Sequence, residues 1–402
     1  MFYDRKEIPM LKYILQRIGF AILTLLIIVF VVYVLTAQFS TNPFAQRALG
    51  GTTGAGVSSD ATDQLYEKYF NDSVKYHFLP ASWANRYQEF KNVWLTYRLN
   101  PLIRFGYWLS DIFTNKQNPF GTPFNESLFQ QTQTSSISEL FFKYLRFSVI
   151  VTVPAFFISA ILGIILGTVA GYKRGTMFDA GINVFSLFFI ALPSFIIAPI
   201  LISILLRVNV TPTFINPYSE QSSQVFSTTQ IIVSWIPPIL IVVLGSLSGY
   251  ITYTRNQVIT VLTSNYVLIA RSKGLKQSEI FFKYVLRNIS IPLAAILIPS
   301  YIGLLTGGIV IERYWNIPGT SEIIAQSFPQ GEINIIMFNT VFFTFLGVMT
   351  TIVVDISYTI LDPRIKYSSK AGFSYLQILA RTLQRNKDFQ KQKQLQGALY
   401  DK

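Results

Sequence analysis

Long apolar segments alternate with polar segments along the chain, and each apolar segment is long enough to cross a membrane as a helix. A spanning helix needs about 20 mainly apolar residues. The segments are approximately Ile18–Thr36, Ser148–Ala170, Ile182–Leu206, Ile231–Tyr253, Ile291–Ile311 and Ile335–Ile360. The first five contain no Asp, Glu, Lys, Arg or His, and the sixth contains only Asp355. Because a charge at mid-span costs roughly 2.5–3.5 kcal/mol, this pattern predicts an all-α membrane protein with six transmembrane helices.

The composition agrees with a membrane protein and excludes several kinds of chemistry. Charged residues make up only 13% of the chain, against roughly 25% in a typical soluble domain. The chain has no cysteine, and His77 is its single histidine. Disulfides, thiolate metal sites, a metal site built from histidines and a Ser-His-Asp triad are therefore not expected, and we do not expect an integral enzyme.

The distribution of positive charge predicts the orientation of the chain. Most of the 33 lysine and arginine residues lie near the two termini and in the loops after the second and fourth apolar segments. The short loops 207–230 and 312–334 hold only Arg207 and Arg313. Since positive residues stay on the cytoplasmic side, we expect a multi-pass protein of the plasma membrane with both termini cytoplasmic. The formal charge of +13 therefore does not indicate a nucleic-acid surface.

The spans and loops divide the chain into four parts. Residues 1–37 are an N-terminal segment with the first span, which we interpret as an uncleaved signal anchor, because its apolar run exceeds the usual 7–15 residues of a signal peptide. Residues 38–146 form an extracellular loop, at roughly 100 residues long enough for a small folded subdomain. Residues 147–364 are the core domain, and 365–402 are a cytoplasmic basic tail. Leu376, Leu379 and Leu383 in this tail fit an amphipathic helix, and a disordered tail is the alternative.

Three glycines in the second span repeat with helical spacing. Gly163, Gly167 and Gly171 recur every four residues and therefore line one helical face. Such faces let helix backbones approach closely in lipid. We predict helix packing at this face, with a movement during gating as the alternative.

The cytoplasmic loop 265–290 carries the strongest functional signal. Two short amphipathic pieces, Asn265–Lys273 and Gln277–Asn288, meet at Gly274, where glycine permits a sharp turn. The pattern predicts a helix–turn–helix that protrudes from the membrane with a cationic surface. That surface could contact a partner protein or anionic lipid headgroups, and charge alone does not separate the two.

The residues of this loop resemble a known family. Ala270, Arg271, Lys273, Gly274 and Leu275, with Ile289 and Pro292 downstream, are similar to the signature loop of ABC importer permeases. The resemblance implies a coupling helix seated in a groove of an ATPase subunit. There, Ala270 and Gly274 would allow close contact, and Arg271 and Lys273 would flank it. The acidic residue usual near the start of the loop is replaced here by Leu268 or Ile269.

The resemblance continues over roughly residues 10–70 and 99–367, and it indicates the B-type permeases of oligopeptide and dipeptide importers. The matching segments are Met10–Arg17, Gly171–Gly175 with Asp179, Ala191–Phe195, Gly308–Glu312, Ile317–Gly319 and Leu361–Tyr367. The chain departs from the family by an apparent insertion between Asp72 and Leu99 and by a tail beyond Lys370. It also has Gly319-Thr320-Ser321 where Gly-Leu/Ile-Gly is commoner.

The resemblance implies the fold and partners of a type I ABC importer permease. Such a subunit forms half of the translocation pathway, beside a second homologous permease, two ATPase subunits and an extracellular substrate-binding lipoprotein. Peptides are the expected substrates, and nickel or another small solute remains open because selectivity would lie mainly in the binding protein. The chain lacks GxxxxGK[ST], so we expect no cofactor in it, with ATP and Mg²⁺ held by the partner subunits. The alternative of another class is an ion-coupled secondary transporter, which normally needs intramembrane charges, and the spans supply only Asp355.

Overall fold

A computed structural model gives the structure of the chain and describes residues 10–51, 59–125, 127–208, 210, 212–306, 308–361 and 384–385. In this part of the chain the regular structure is helical, without β-strands. The longer helices are α1 (Met10–Phe39), α7 (Ile137–Tyr172), α8 (Met177–Ala191), α9 (Ser194–Arg207), α11 (Thr228–Leu262), α14 (Arg287–Thr306) and α17 (Ile333–Leu361). The shorter ones are α2 (Pro43–Gly51), α3 (Ser59–Lys75), α4 (Tyr87–Phe90), α5 (Pro101–Thr114), α6 (Ser127–Thr132), α10 (Glu220–Val225), α12 (Asn265–Ser272), α13 (Gln277–Ile280), α15 (Ile309–Trp315) and α16 (Thr320–Gln330).

The helices confirm the all-α membrane fold. Five helical segments are long and apolar enough to cross a membrane, and α8 with α9 makes a sixth if the pair counts as one span. Large apolar side chains remain exposed along these helices; Phe20 on α1, for example, is 66% exposed. Exposed apolar surface on this scale is what lipid requires and what a soluble surface rarely shows. The predicted basic tail 365–402, with Leu376, Leu379 and Leu383, lies outside the described residues apart from 384 and 385.

Two of the predicted spans differ from the structure. The span predicted over Ile182–Leu206 is bent in the structure, where α8 and α9 meet at an angle of 100°. The bend lies at Leu192 and Pro193; proline has no N–H to continue the helix, and it pushes the preceding residue toward extended backbone, as the ψ of 107° at Leu192 shows. The fifth predicted span also ends early, since α14 stops at Thr306 and the separate helix α15 follows.

Contacts between helix termini define two ends of the bundle. At one end the ring of Tyr172 packs against Phe281, with ring centroids 6.1 Å apart. We call this the basic end, because it carries the loop 263–287. The start of α1 and the end of α17 are joined by an ion pair of 3.1 Å between Arg17 and Asp355. α17 begins at the other end of the bundle, where the N–H of Phe124 donates to the Glu332 carboxylate. The other end carries residues 40–136.

Residues 43–136 form a helical unit with an aromatic core. Phe70 and Trp94 are fully buried, with ring centroids 5.9 Å apart. A second cluster joins this unit to the long helices: Tyr33 of α1 lies 5.3 Å from Trp108 of α5, measured between ring centroids. The described residues of this unit thus pack around a core of their own, and the extracellular position of the loop stays a prediction. The predicted boundary between residues 146 and 147 falls inside α7, because this helix runs without a break from Ile137 to Tyr172.

Candidate functional site

The loop at the basic end consists of α12, a turn at Gly274 and the start of α13. Gly274 has a φ of +73°, in the left-handed region that favours glycine. Its N–H donates to the carbonyl of Arg271 at 2.9 Å, and the N–H of Leu275 donates to the carbonyl of Ala270 at 3.3 Å. Apart from its chain neighbours, no described residue has an atom within 4 Å of the position where a Cβ on Gly274 would be. The turn therefore needs glycine for its backbone and leaves space on its outer side.

One face of α12 is fixed to the bundle. Val267 is fully buried and Ala270 is 3% exposed. They pack into one apolar cluster with Val258 of α11, with Val285 just before α14 and with Ile289 in the first turn of α14. Ala270 therefore makes its close contact with the core of this chain, and Ile289 is also buried in that core. Pro292 accepts a hydrogen bond on its carbonyl oxygen from the Tyr253 hydroxyl at 3.3 Å.

The second piece of the predicted helix–turn–helix continues into the membrane helix. α13 passes through a π-helical stretch, Phe281–Leu286, directly into α14. Lys276 precedes α13, and its N–H donates to the Glu279 carboxylate at 3.2 Å. A displacement of the turn at Gly274 would therefore act on α11 through α12 and on α14 through α13.

The outer face of the loop combines cations with exposed apolar side chains. We call this set the α12 surface; it comprises Tyr266, Leu268, Ile269, Arg271, Lys273 and Lys276. Leu268 is 51% exposed and Ile269 is 55% exposed. Apolar side chains beside arginine on an exposed helix are typical of a protein interface, and lipid headgroups would also accept such a surface.

The three glycines of α7 form a seam against α11. A Cβ on Gly163 would lie 2.5 Å from the Cβ of Tyr250, and one on Gly171 would lie 2.7 Å from a methyl carbon of Val258. A Cβ on Gly167 would lie 2.6 Å from the carbonyl oxygen of Ile251. The two helices run parallel and touch backbone to backbone along this seam, as small residues permit in membrane helices.

An ion pair next to the seam joins α8 to α11. Arg255 donates to both carboxylate oxygens of Asp179, from Nε at 2.5 Å and from Nη2 at 2.8 Å. Asp179 also accepts from the N–H of Gly175 at 2.9 Å and from Asn183 Nδ2 at 3.2 Å. Its side chain is 5% exposed, so the pair is shielded from solvent. Together with the glycine seam, it makes α7, α8 and α11 one block at the basic end.

A buried carboxylate, Glu312, organises the other end of the core. Ser148 donates its hydroxyl hydrogen to Glu312 Oε1 at 2.7 Å, and the N–H of Glu322 donates to Oε2 at 3.1 Å. A Cβ on Gly319 would lie only 2.2 Å from the Glu312 carboxylate, which explains glycine there. Burial raises the pKa of Glu312, while the Ser148 hydroxyl and the N–H groups of Glu322 and Ser321 oppose that rise.

A cavity of about 310 Å³ lies beside this carboxylate, and we call it the Glu312 cleft. It is bounded by α7, α11, α14, α15 and the start of α9. Its polar lining consists of Glu312 and the hydroxyl residues Ser148, Thr152, Ser194 and Ser246. Gly245 and Gly303 also line it, and a Cβ on either would meet no atom of another described segment within 4 Å. The cleft is therefore apolar for most of its wall and carries one carboxylate with a few hydroxyls.

A second buried carboxylate, Glu332, holds the unit 43–136 to the bundle. Its two oxygens accept the N–H groups of Phe124 and Asn125, each at 2.7 Å. Arg47 donates from Nη1 to the carbonyl of Phe124 at 2.9 Å, and its Nη2 lies 3.9 Å from Glu332 Oε1. Burial raises the pKa of Glu332 to about 6, although both N–H groups and Arg47 act in the opposite direction.

The sequence interpretation did not assign roles to these acidic residues. Glu312 and Asp179 were noticed only as members of resembling segments, and Glu332 was not singled out. Glycine offered the available signal: Gly308 and Gly319 both border Glu312, and Gly331 brings the turn before Glu332 close to the carbonyl of Thr41. Such close approaches are decided by tertiary packing and have no fixed spacing in the sequence.

Comparison with known proteins agrees with this geometry. Residues 163–367, which contain the glycine seam, the loop at the basic end and Glu312, match the profile of the family described as binding-protein-dependent transport system inner membrane component. The matched region covers five of the six predicted spans, the first of these only from Gly163 onward.

Curated relatives extend the similarity over most of the chain. The oligopeptide transport system permease protein OppB of Mycoplasma genitalium is 26% identical over 367 residues, covering 91% of this chain and 80% of the relative. The dipeptide transport system permease protein DppB of Lactococcus lactis is 26% identical, covering 89% of this chain and 100% of the relative. The oligopeptide transport system permease protein AppB of Bacillus subtilis is 29% identical, covering 66% of this chain and 80% of the relative.

Proposed function

The chain belongs to the family of binding-protein-dependent transport system inner membrane components, and from this premise we propose that it is a permease subunit of an ATP-driven importer of oligopeptides or dipeptides. The names of the relatives OppB, DppB and AppB support peptides as the substrate class. The chain would form half of the translocation pathway, and a second homologous permease would form the other half.

The observation that carries this proposal is the construction of the α12 surface. An exposed helix with cations and apolar side chains outward is anchored by Val267 and Ala270 inward, at the junction of α11 and α14. A lipid contact needs only an amphipathic face, whereas a rigid attachment to two spanning helices suits a surface through which force is transmitted. We place the groove of an ATPase subunit on this surface, one such subunit on each permease.

In this scheme ATP binding closes the two ATPase subunits and moves the α12 surface. The glycine seam and the ion pair between Asp179 and Arg255 carry the movement from α11 to α7 and α8 as a rigid body. At the seam the two helices are in close contact, and the ion pair holds α8 to α11 at 2.5 Å. ATP hydrolysis belongs to the partner subunits, so the chain itself is a transport permease without catalytic activity or cofactor. Purified chain that turned over ATP specifically, without partners, would contradict this division of roles.

The orientation follows from the same assignment. The basic end, which holds the start of α1 and the end of α17, faces the cytoplasm, where the ATPase subunits are, and the unit 43–136 faces outward. Its packed aromatic core and its anchor at Glu332 give the unit a defined surface for the external substrate-binding protein. Protease added outside sealed cells should cut exposed sites of this unit, such as the loop around Lys116. Cleavage from the cytoplasmic side alone would contradict both the orientation and the partner.

The coupling role is tested by co-purification of the chain with its ATPase subunits. Reversing charge on the α12 surface, with Arg271→Glu and Lys273→Glu together, should reduce the ATPase subunits recovered and the ATPase activity stimulated by loaded binding protein. Lys116→Glu is the matched control, since Lys116 is an exposed cation at the other end of the bundle. Wild-type recovery and stimulation for the double variant would refute a docking role for the α12 surface.

A further inference from the structure

The Glu312 cleft contains a buried carboxylate that has no cationic partner among the residues that the structure describes. Glu312 is 4% exposed, and in the described residues no lysine, arginine or histidine lies within ion-pair distance of it; the nearby Arg313 pairs with Glu322 instead, at 2.9 Å. Buried charges are ordinarily paired, because desolvation of an isolated charge is costly. The hydrogen bonds from Ser148 and Glu322 stabilise the carboxylate without neutralising it.

Glu312 also lines a space that could admit a cation. The cleft of about 310 Å³ lies at the lower limit of small-molecule sites, which measure roughly 300–1,000 Å³. It would therefore take the end of a chain molecule rather than a whole peptide. Ser194 and Ser246 add hydroxyl groups to the wall, and the wall is otherwise mainly apolar.

We propose that the Glu312 cleft binds the N-terminal ammonium group of a transported peptide, with the Glu312 carboxylate as the counter-charge. An ammonium group offers three N–H donors, which suits one carboxylate surrounded by hydroxyl oxygens. The apolar wall accepts varied first side chains with little selectivity. This proposal rests on the proposed function, because it takes a peptide as the solute.

The contrast with Glu332 supports a ligand role for Glu312. Both carboxylates are buried and both accept backbone N–H groups. Arg47 lies 3.9 Å from Glu332. Glu312 lines the cleft, and no cation of the described part of the chain lies at a comparable distance from it. Glu332 therefore serves as a matched control: it undergoes the same chemical change when replaced, and it does not line the cleft.

The test measures binding by the full chain in lipid nanodiscs, without ATPase subunits or binding protein, so that its outcome is separate from that of the transport assay. The probes are trialanine and N-acetyl-trialanine, which differ in the ammonium charge. We expect the wild type to bind trialanine about tenfold more tightly than N-acetyl-trialanine. Glu312→Gln should abolish this preference, and Glu332→Gln should retain it. A wild type without preference, or Glu312→Gln with the preference intact, would overturn the proposal.

Two further measurements keep the test decisive. Gly245→Leu places a side chain in the cleft at a position where a Cβ meets no atom of another described segment within 4 Å. This variant should weaken the binding of both probes. Unchanged binding would overturn the location of the site even if Glu312→Gln did not fold. Repeating the titration in sodium chloride and in choline chloride separates ammonium from a metal cation. Equal preference in both salts is expected, and loss of trialanine binding in sodium alone would assign the cleft to a metal ion and overturn the proposal.

Discussion

The glycine seam offers the sharpest quantitative prediction. In Gly167→Ala, the added Cβ would lie 2.6 Å from the carbonyl oxygen of Ile251, 2.7 Å from the Cβ of Thr254 and 3.1 Å from the N atom of Arg255. Ordinary contacts of carbon atoms lie at about 3.5–4.0 Å, so α7 and α11 would have to separate by roughly 1 Å. Two of the three contacted atoms belong to the helix backbone, which cannot move by a change of rotamer.

The magnitude follows from two opposing effects. Overpacking of this kind costs typically about 1–3 kcal/mol, and replacing glycine by alanine in a helix returns up to about 1 kcal/mol. We therefore expect Gly167→Ala to lower the free energy of unfolding by about 1–2 kcal/mol. Gly245→Ala on α11 is the control, because within the described parts of the chain no neighbouring segment has an atom within 4 Å of its Cβ position. This variant should leave the stability unchanged or raise it by up to about 1 kcal/mol.

The assay is unfolding of both variants in one detergent, followed by tryptophan fluorescence and by retention on size-exclusion chromatography after heating. The difference between the two variants removes the effect of the common Gly→Ala change. Equal stability of Gly167→Ala and Gly245→Ala would refute the close contact between α7 and α11. If both variants were less stable than the wild type by the same amount, glycine would matter in these helices for a reason other than packing.

Three further predictions concern the other contacts. Gly274→Leu places a side chain at a φ of +73°, which strains the backbone by about 1–2 kcal/mol. Membrane insertion of this variant should be unchanged, its co-purification with the ATPase subunits should fall, and Gly274→Asn should have a milder effect. If the loop only tethers the chain to lipid, Gly274→Leu should change neither measurement. Asp179→Asn removes the charged partner from two hydrogen bonds of Arg255 and should lower the free energy of unfolding by about 2 kcal/mol. The control is Asp63→Asn, because Asp63 forms an exposed ion pair with Lys91. This control should change the free energy of unfolding little in the same assay. The pKa of Glu332 is raised from 4.5 to about 6, so the folded state holds the Glu332 proton more tightly than the unfolded state, and the stability that this group contributes falls as the pH rises from about 4.5 to about 6. Unfolding midpoints measured across that range should show this fall in the wild type and not in Glu332→Gln. Identical pH profiles of the two proteins would contradict burial of this carboxylate.

The sequence determined the class of the protein and the position of most spanning helices. Length and absence of charge decide whether a segment enters lipid, and both are properties of a contiguous stretch. The turn at Gly274 was predictable for a similar reason, since the left-handed conformation is a local demand that glycine meets. The spacing of Gly163, Gly167 and Gly171 likewise predicted a packing face, although it did not say that α11 would be the partner.

Other features were decided only by the tertiary structure. Apolarity alone does not report a bend, so it did not reveal the angle of 100° between α8 and α9, although Pro193 marked where the helix breaks. The pairing of Asp179 with Arg255 joins residues far apart in the sequence, and Glu312 meets Ser148 across a similar separation. Whether a carboxylate is solvated, caps a helix or faces a cleft depends on which distant segments pack around it. That arrangement follows from how the helices assemble, and no local pattern of residues encodes it.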